Sequence, residues 1–173
     1  MMGRTHLVIG GAAWLALAAS HTMPYYGAAA IAGGWFLSAL AALGPDLDQK
    51  QSMGSRLLGP ITQGISWVVR AVSGGHRKLT HSLLGMAIVL GLIGACITML
   101  HLVLWVGLAI MVGWMSHIAA DMITVEGCPL LYPVSRAKFG LHLMHTDHAA
   151  EHVLVLPLAL LANLMFIWMV IRG

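Results

Sequence analysis

The chain has 173 residues, of which 59% are hydrophobic and only 9% are charged. A soluble domain has roughly a quarter of its residues charged, so this composition excludes an ordinary water-compatible surface and indicates a lipid-facing exterior. The net charge of +3 is too small and too dispersed to favour nucleic-acid binding. The length suits one domain, and we expect residues 1–173 to form a single membrane domain.

Five apolar segments are long enough, or nearly so, to cross a bilayer: residues 6–20, 26–43, 81–100, 102–124 and 151–171. Thr80 is a candidate N-cap for the third segment. The shorter segment 57–72 is interrupted by Gly59-Pro60, which indicates an interfacial or re-entrant helix. We therefore predict an all-α, polytopic bundle of about five transmembrane helices plus a short interfacial helix. The first segment also has features of a cleaved secretory signal, an alternative that we consider the weaker one.

The basic residues predict the orientation of this bundle. With five spans, eight of the nine lie on one side: Arg4, Lys50, Arg56, Arg70, Arg77, Lys78, Arg136 and Lys138. The positive-inside rule makes that side cytoplasmic. We expect a multi-pass protein of the bacterial inner membrane, with the N-terminus inside and the C-terminus outside.

Ten histidines against six acidic residues are unusual for a membrane protein, because histidine is costly in lipid. Many of these residues are expected at the cytoplasmic ends of the helices: His6, Asp46, Asp48, His76, His81, His117, Asp121, His148 and Glu151. Neutral imidazole and carboxylate are ligands of zinc and related divalent ions. The number of donors exceeds the needs of one ion, so the sequence predicts a metal site that holds one ion or more.

The spacing within the cluster adds detail. His117 and Asp121 are four residues apart and project from one helix face. His76 and His81 are five apart and cannot share a face, so we expect His76 in the loop and His81 at the helix start. Arg77 beside His76 suits phosphate binding, although it equally suits a positive-inside anchor.

Each motif also has a simpler interpretation. His117 and Asp121 could form an internal hydrogen-bonded pair, and Asp46 and Asp48 could be turn residues. His76 and His81 could be interfacial histidines. His142, His145 and His152 have no firm register, and their roles stay open.

Three stretches resemble the YdjM family of inner-membrane proteins: LGPDLDQKQSMGSRL, GHRKLTHSLLG and VGWMSHIAADMITVEGCPLLYP. The resemblance implies a membrane-bound, metal-dependent hydrolase whose polar set would be His6, Asp46, Asp48, His76, Arg77, His81, His117, Asp121 and Glu151. Gln49 and Lys78 depart from the family pattern, which usually has histidine and glycine there. A more distant similarity to zinc-dependent phospholipase C and P1 nuclease suggests a multi-zinc phosphodiesterase.

The leading functional hypothesis is a hydrolase for a phosphoester, such as a phospholipid or a lipid-linked phosphate, with a metal-activated water as nucleophile. The expected metal ligands are His6, Asp48, His76, His81, His117, Asp121 and His148, with zinc as the favoured ion. Glu151, Asp46 and Arg77 are expected to act in catalysis. A divalent-metal transporter or sensor is the alternative, and a membrane protein without catalysis is the third hypothesis.

Overall fold

The computed structural model describes residues 1–20, 22, 26–146 and 149–172, and these residues form helices and loops without a β-strand. This confirms the predicted all-α class. The helices are α1 (Gly3–Ala19), α2 (Ala28–Ala41), α3 (Met53–Arg56), α4 (Pro60–Ser73), α5 (Leu83–Leu100), α6 (Leu104–Asp121) and α7 (Leu156–Arg172). Short 3₁₀ turns cover Pro45–Asp48 and Leu79–His81, and a π-helical turn, Glu151–Val155, leads into α7.

Within the described residues, four segments are long and apolar enough to cross a membrane: Ala28–Asp48, Leu83–Leu100, Leu104–Asp121 and Glu151–Arg172. Helix α1 is apolar but has only 17 residues, fewer than any of these four segments. The predicted count of about five spans therefore includes this shorter helix.

The start of α5 differs from the prediction. Thr80 is not the N-cap, because residues 79–81 form a 3₁₀ turn before the helix begins. Ser82 is the N-cap, and its hydroxyl accepts a hydrogen bond of 3.0 Å from the Gly85 N–H. The Thr80 hydroxyl instead donates to Asp48, so the turn is tied to the polar cluster rather than to the helix.

Helix α1 lies at the centre and packs against α2, α6 and α7. Small residues allow the close approach, as is common between membrane helices. The Ser38 hydroxyl of α2 donates to the Gly10 carbonyl of α1 at 2.8 Å. A Cβ atom on Gly113 of α6 would lie 2.1 Å from the Ser38 carbonyl oxygen, so α2 contacts both neighbours at one position.

Helices α5 and α7 are peripheral. Among their described residues, only Gly85 and Asn163 are buried, and the remaining apolar side chains are available to lipid. Helix α4 carries an exposed apolar face that includes Ile61, Ile65 and Val68. Such a face suits the predicted interfacial position.

One end of the bundle gathers the start of α1, the turn after α2, the turn before α5, the end of α6 and the π-helical turn before α7. Side chains from these five segments come within a few ångströms of one another, as the distances below show. The fold therefore places most of the predicted polar residues at a single end.

Candidate metal centre

Helix α6 supplies the middle of the polar cluster. His117 and Asp121 are both fully buried, and the His117 Nε2 atom lies 3.7 Å from an Asp121 carboxylate oxygen. His6 of α1 places its Nε2 atom 3.2 Å from the other oxygen of Asp121. The rings of His6 and His117 stack with their centroids 3.7 Å apart. These three residues form the first group whose ligand atoms could hold one ion.

The second group consists of Asp46, His81 and His117. The Nε2 atoms of His81 and His117 are 3.2 Å apart, and each lies 3.7 Å from the same carboxylate oxygen of Asp46. Three donor atoms from three different segments thus converge on one small volume. Burial lowers the pKa of His81 to about 4, despite the nearby carboxylates of Asp121 and Asp48, so this imidazole is neutral at neutral pH.

The hydrogen bonds at the far side of each ring fix its tautomer. The His117 Nδ1 atom lies 2.6 Å from the Ala42 carbonyl oxygen, which can only accept, so Nδ1 carries the proton. The Thr80 hydroxyl donates to Asp48 and is therefore an acceptor for His81 Nδ1 at 3.0 Å. Both Nε2 atoms then present lone pairs to each other, an arrangement that a shared cation stabilises.

One buried polar atom of the cluster, the Nδ1 atom of His6, lacks a hydrogen-bond partner among the described residues. An unsatisfied buried polar atom costs about 1–3 kcal/mol, and coordination of an ion would remove that cost. Imidazole nitrogen and carboxylate oxygen are also the donors that zinc accepts. The residues present therefore fit a divalent metal ion.

A third group joins Asp46, Asp48 and His76. Asp48 is fully buried, and one of its oxygens lies 2.6 Å from His76 Nδ1. Its other oxygen accepts hydrogen bonds from the Thr80 hydroxyl at 2.6 Å and from the Arg77 N–H at 3.0 Å. Asp48 thus also organises the loop that carries His76 and Arg77. Since the first and third groups share no residue, the cluster could hold more than one ion.

Arg77 brings a cation into the carboxylate cluster. Its guanidinium lies 2.7 Å from an Asp121 oxygen and 3.6 Å from Glu126. Its backbone adopts a left-handed conformation with φ of 54°, which is costly for a residue other than glycine. The hydrogen bond from its N–H to Asp48 holds it there, so the structure fixes this arginine beside the candidate metal ligands.

Glu151 is fully buried at the start of the π-helical turn, and its carboxylate accepts a hydrogen bond of 2.6 Å from the Met2 N–H. The amine of the adjacent Met1 contacts Asp121, so Glu151 lies beside the cluster but outside the three groups. His148 lies outside the described residues. The structure brings the other predicted site residues together at this end of the bundle: His6, Asp46, Asp48, His76, Arg77, His81, His117 and Asp121.

Some residues of the site were missed by the sequence reasoning. The Ala42 carbonyl orients His117, yet a backbone carbonyl has no signature in a sequence. Thr80 was considered only as a cap, although its place one residue before His81 could have suggested a supporting role. Glu126 contacts Arg77 and accepts a hydrogen bond of 2.8 Å from Thr146. Because Glu126 is far from Arg77 in the sequence, no local pattern indicated this contact.

Comparison with known proteins identifies the family of this chain. The model of the family described as YdjM inner membrane protein matches residues 1–172. The uncharacterized protein YvsG of Bacillus subtilis is 33% identical over 177 aligned positions, covering 100% of this chain and 98% of that protein. The inner membrane protein YdjM of Escherichia coli is 33% identical over 108 positions, which are 61% of this chain and 51% of its own, and the Shigella flexneri protein gives the same values. No solved structure matches. The chain therefore belongs to the YdjM family of inner membrane proteins.

Proposed function

We propose that this protein is a membrane-embedded, metal-dependent hydrolase that acts on a phosphoester such as a phospholipid or a lipid-linked phosphate. The observation that carries the proposal is the buried cluster of His and Asp donors around His117, with the guanidinium of Arg77 2.7 Å from its member Asp121. A buried cluster of this kind suits a divalent ion, and a fixed arginine suits the charge of a phosphoryl group.

Zinc is the ion that we favour for these nitrogen and oxygen donors. His81 and His117 would share one ion with His6 and Asp121, and Asp48 and His76 are the donors left for a second. Bound divalent ions supply acidification of water and neutralisation of phosphoryl oxygens. The Ala42 carbonyl and the Thr80 hydroxyl keep the lone pairs of the two imidazoles directed to the centre.

The remaining polar residues have separate tasks. Hydrolysis forms a P–O bond from water, breaks the ester P–O bond, and moves the proton of the water to the leaving oxygen. Asp46 is suited to carry that proton, because its side chain is 12% exposed whereas those of His81 and Asp121 are not exposed. Arg77 would bind a phosphoryl oxygen. Glu151 is buried and would position the start of α1, which carries His6.

An apolar groove beside the centre favours a lipid as substrate. It has a volume of about 260 Å³, lies between α4 and α5, and reaches Thr80, the neighbour of His81. Its walls include Val68, Val72 and Ile88, which are exposed and apolar. An acyl chain in this groove would place a headgroup at the metal centre. The basic residues around this end of the bundle favour the cytoplasmic face of the membrane for the site.

The test is phosphoester turnover by the purified protein in phospholipid vesicles. We expect turnover that a chelator removes, that added zinc restores, and that His117→Ala abolishes. Cys96→Ala is a suitable control, because Cys96 is exposed on α5. This variant should retain full activity. Turnover that resists both the chelator and His117→Ala would refute the proposal. Zinc uptake into the vesicles without turnover would favour the transporter instead.

A further inference from the structure

A second cavity lies directly beside the metal centre. This basic cleft has a volume of about 370 Å³ and is lined by His76, Arg77, Lys78, Pro129, Tyr132, Arg136 and Lys138. Four of the nine lysine and arginine residues of the chain therefore line one concavity. None of the described residues that line it is acidic, so the cleft suits an anion.

The cations of the basic cleft are only partly neutralised. Arg77 has carboxylate neighbours in Asp121 and Glu126. The Lys78 ammonium donates to a backbone carbonyl at 2.7 Å and has no carboxylate partner within the part of the chain that the structure describes. Arg136 and Lys138 are exposed at the rim of the cleft. An anionic ligand would find flexible cations at the rim and a fixed one at the inner wall.

The basic cleft and the metal centre share a wall. His76 lines the cleft and also belongs to the third group of metal-type ligands. Arg77 lines the cleft while one terminal nitrogen of its guanidinium contacts Asp121 and the other lies 3.6 Å from Glu126. A phosphoryl group at the metal centre would therefore have its next substituent at the mouth of the basic cleft.

We propose that the basic cleft binds a second phosphate group of the substrate, so that the substrate class is a diphosphate or a headgroup with two phosphates. This inference rests on the proposed function for the role of the first phosphate. Arg77 contacts the bridging region, and Arg136 and Lys138 bind the distal phosphate through charge-assisted hydrogen bonds. A phosphodiester with a neutral headgroup leaves these cations unused and is a poorer ligand.

The test uses inorganic pyrophosphate as the probe and the full chain in nanodiscs of zwitterionic lipid, titrated calorimetrically with a chelator present. The chelator removes metal ions, so the binding does not depend on hydrolysis. We expect the wild type to bind pyrophosphate and the double variant Arg136→Ala/Lys138→Ala to bind at least about tenfold more weakly. The control Arg56→Ala removes an exposed cation outside the basic cleft and should change the affinity less than about twofold.

Arg136→Lys/Lys138→Arg keeps both charges and should restore most of the affinity. Absence of wild-type binding, or equal weakening by Arg56→Ala and by the double variant, would overturn the proposal. Competition by nanodiscs that contain a lipid diphosphate identifies a lipid source of the ligand, whereas competition by soluble diphosphates alone identifies a free one. If pyrophosphate binding depends on the basic cleft but the protein shows no phosphoester turnover with any added metal, the proposed hydrolase activity is refuted. The anion-binding role of the cleft is then still supported.

Discussion

Replacing Asp48 by asparagine tests how the loop before α5 is held. The Asp48 carboxylate is fully buried and accepts hydrogen bonds from His76, from the Arg77 N–H and from the Thr80 hydroxyl. Asparagine keeps one acceptor oxygen and has an NH₂ group in place of the other. The donors that faced the replaced oxygen then lose their hydrogen bonds to it. Hydrogen bonds to a charged group contribute about 1.5–3 kcal/mol each, so we expect a loss of roughly 2–4 kcal/mol in unfolding free energy. For a chain of this length, that corresponds to a fall in Tm of roughly 5–15 °C.

The assay is thermal unfolding of the purified protein in detergent with a chelator present, so that metal binding does not contribute. Glu126→Gln is the matched control, because it makes the same chemical change in a side chain that is 41% exposed. Its expected cost is below about 1 kcal/mol. A fall in Tm for Asp48→Asn no larger than that for Glu126→Gln would refute the anchoring role of Asp48.

Two further predictions concern packing and thiol chemistry. Gly113→Ala should lower Tm by several degrees, because its Cβ would lie 2.1 Å from a backbone carbonyl of α2. Gly94→Ala has nothing within 4 Å of the new Cβ and should leave Tm unchanged or raise it slightly, because alanine is the better helix former. Equal Tm values for the two variants would contradict the close approach of α2 and α6. Burial, with the nearby Asp121 carboxylate, raises the pKa of Cys128 to about 12, so in a Cys96→Ala background the native protein should resist maleimide at pH 8 and react only after unfolding. Rapid labelling of the native protein would show that this thiol is accessible.

Much of the fold could be predicted from the sequence because hydropathy is a strong signal in a membrane protein. The predicted segment 102–124 corresponds to α6, Leu104–Asp121. His117 and Asp121 are four residues apart and lie side by side on this helix, as their spacing predicted. The helix ends were less accurate. The Leu79–His81 turn displaced the start of α5, because a hydrogen bond from Thr80 to the distant Asp48 competes with local capping.

The cluster itself was predicted from helix ends alone, without any distance. The sequence could not show which contacts each member of the cluster makes. Asp46 and Asp48 look equivalent in the motif PDLD, yet Asp48 has both oxygens in hydrogen bonds while Asp46 faces His81 and His117. The difference arises from long-range contacts with residues 76–81. Likewise, Arg136 and Lys138 were interpreted from the sequence only as indicators of membrane topology. In the structure they line the same cleft as Arg77.

The central claim is that buried histidines and aspartates at one end of the bundle hold divalent metal. Elemental analysis of the purified protein tests it most directly, with wild type compared against His117→Ala/Asp121→Ala and against Met115→Ala, which alters an exposed side chain of the same helix. The account predicts metal in the wild type and in Met115→Ala, and its loss from the double variant while circular dichroism shows an intact helical fold. Equal metal content in the wild type and the folded double variant would contradict it.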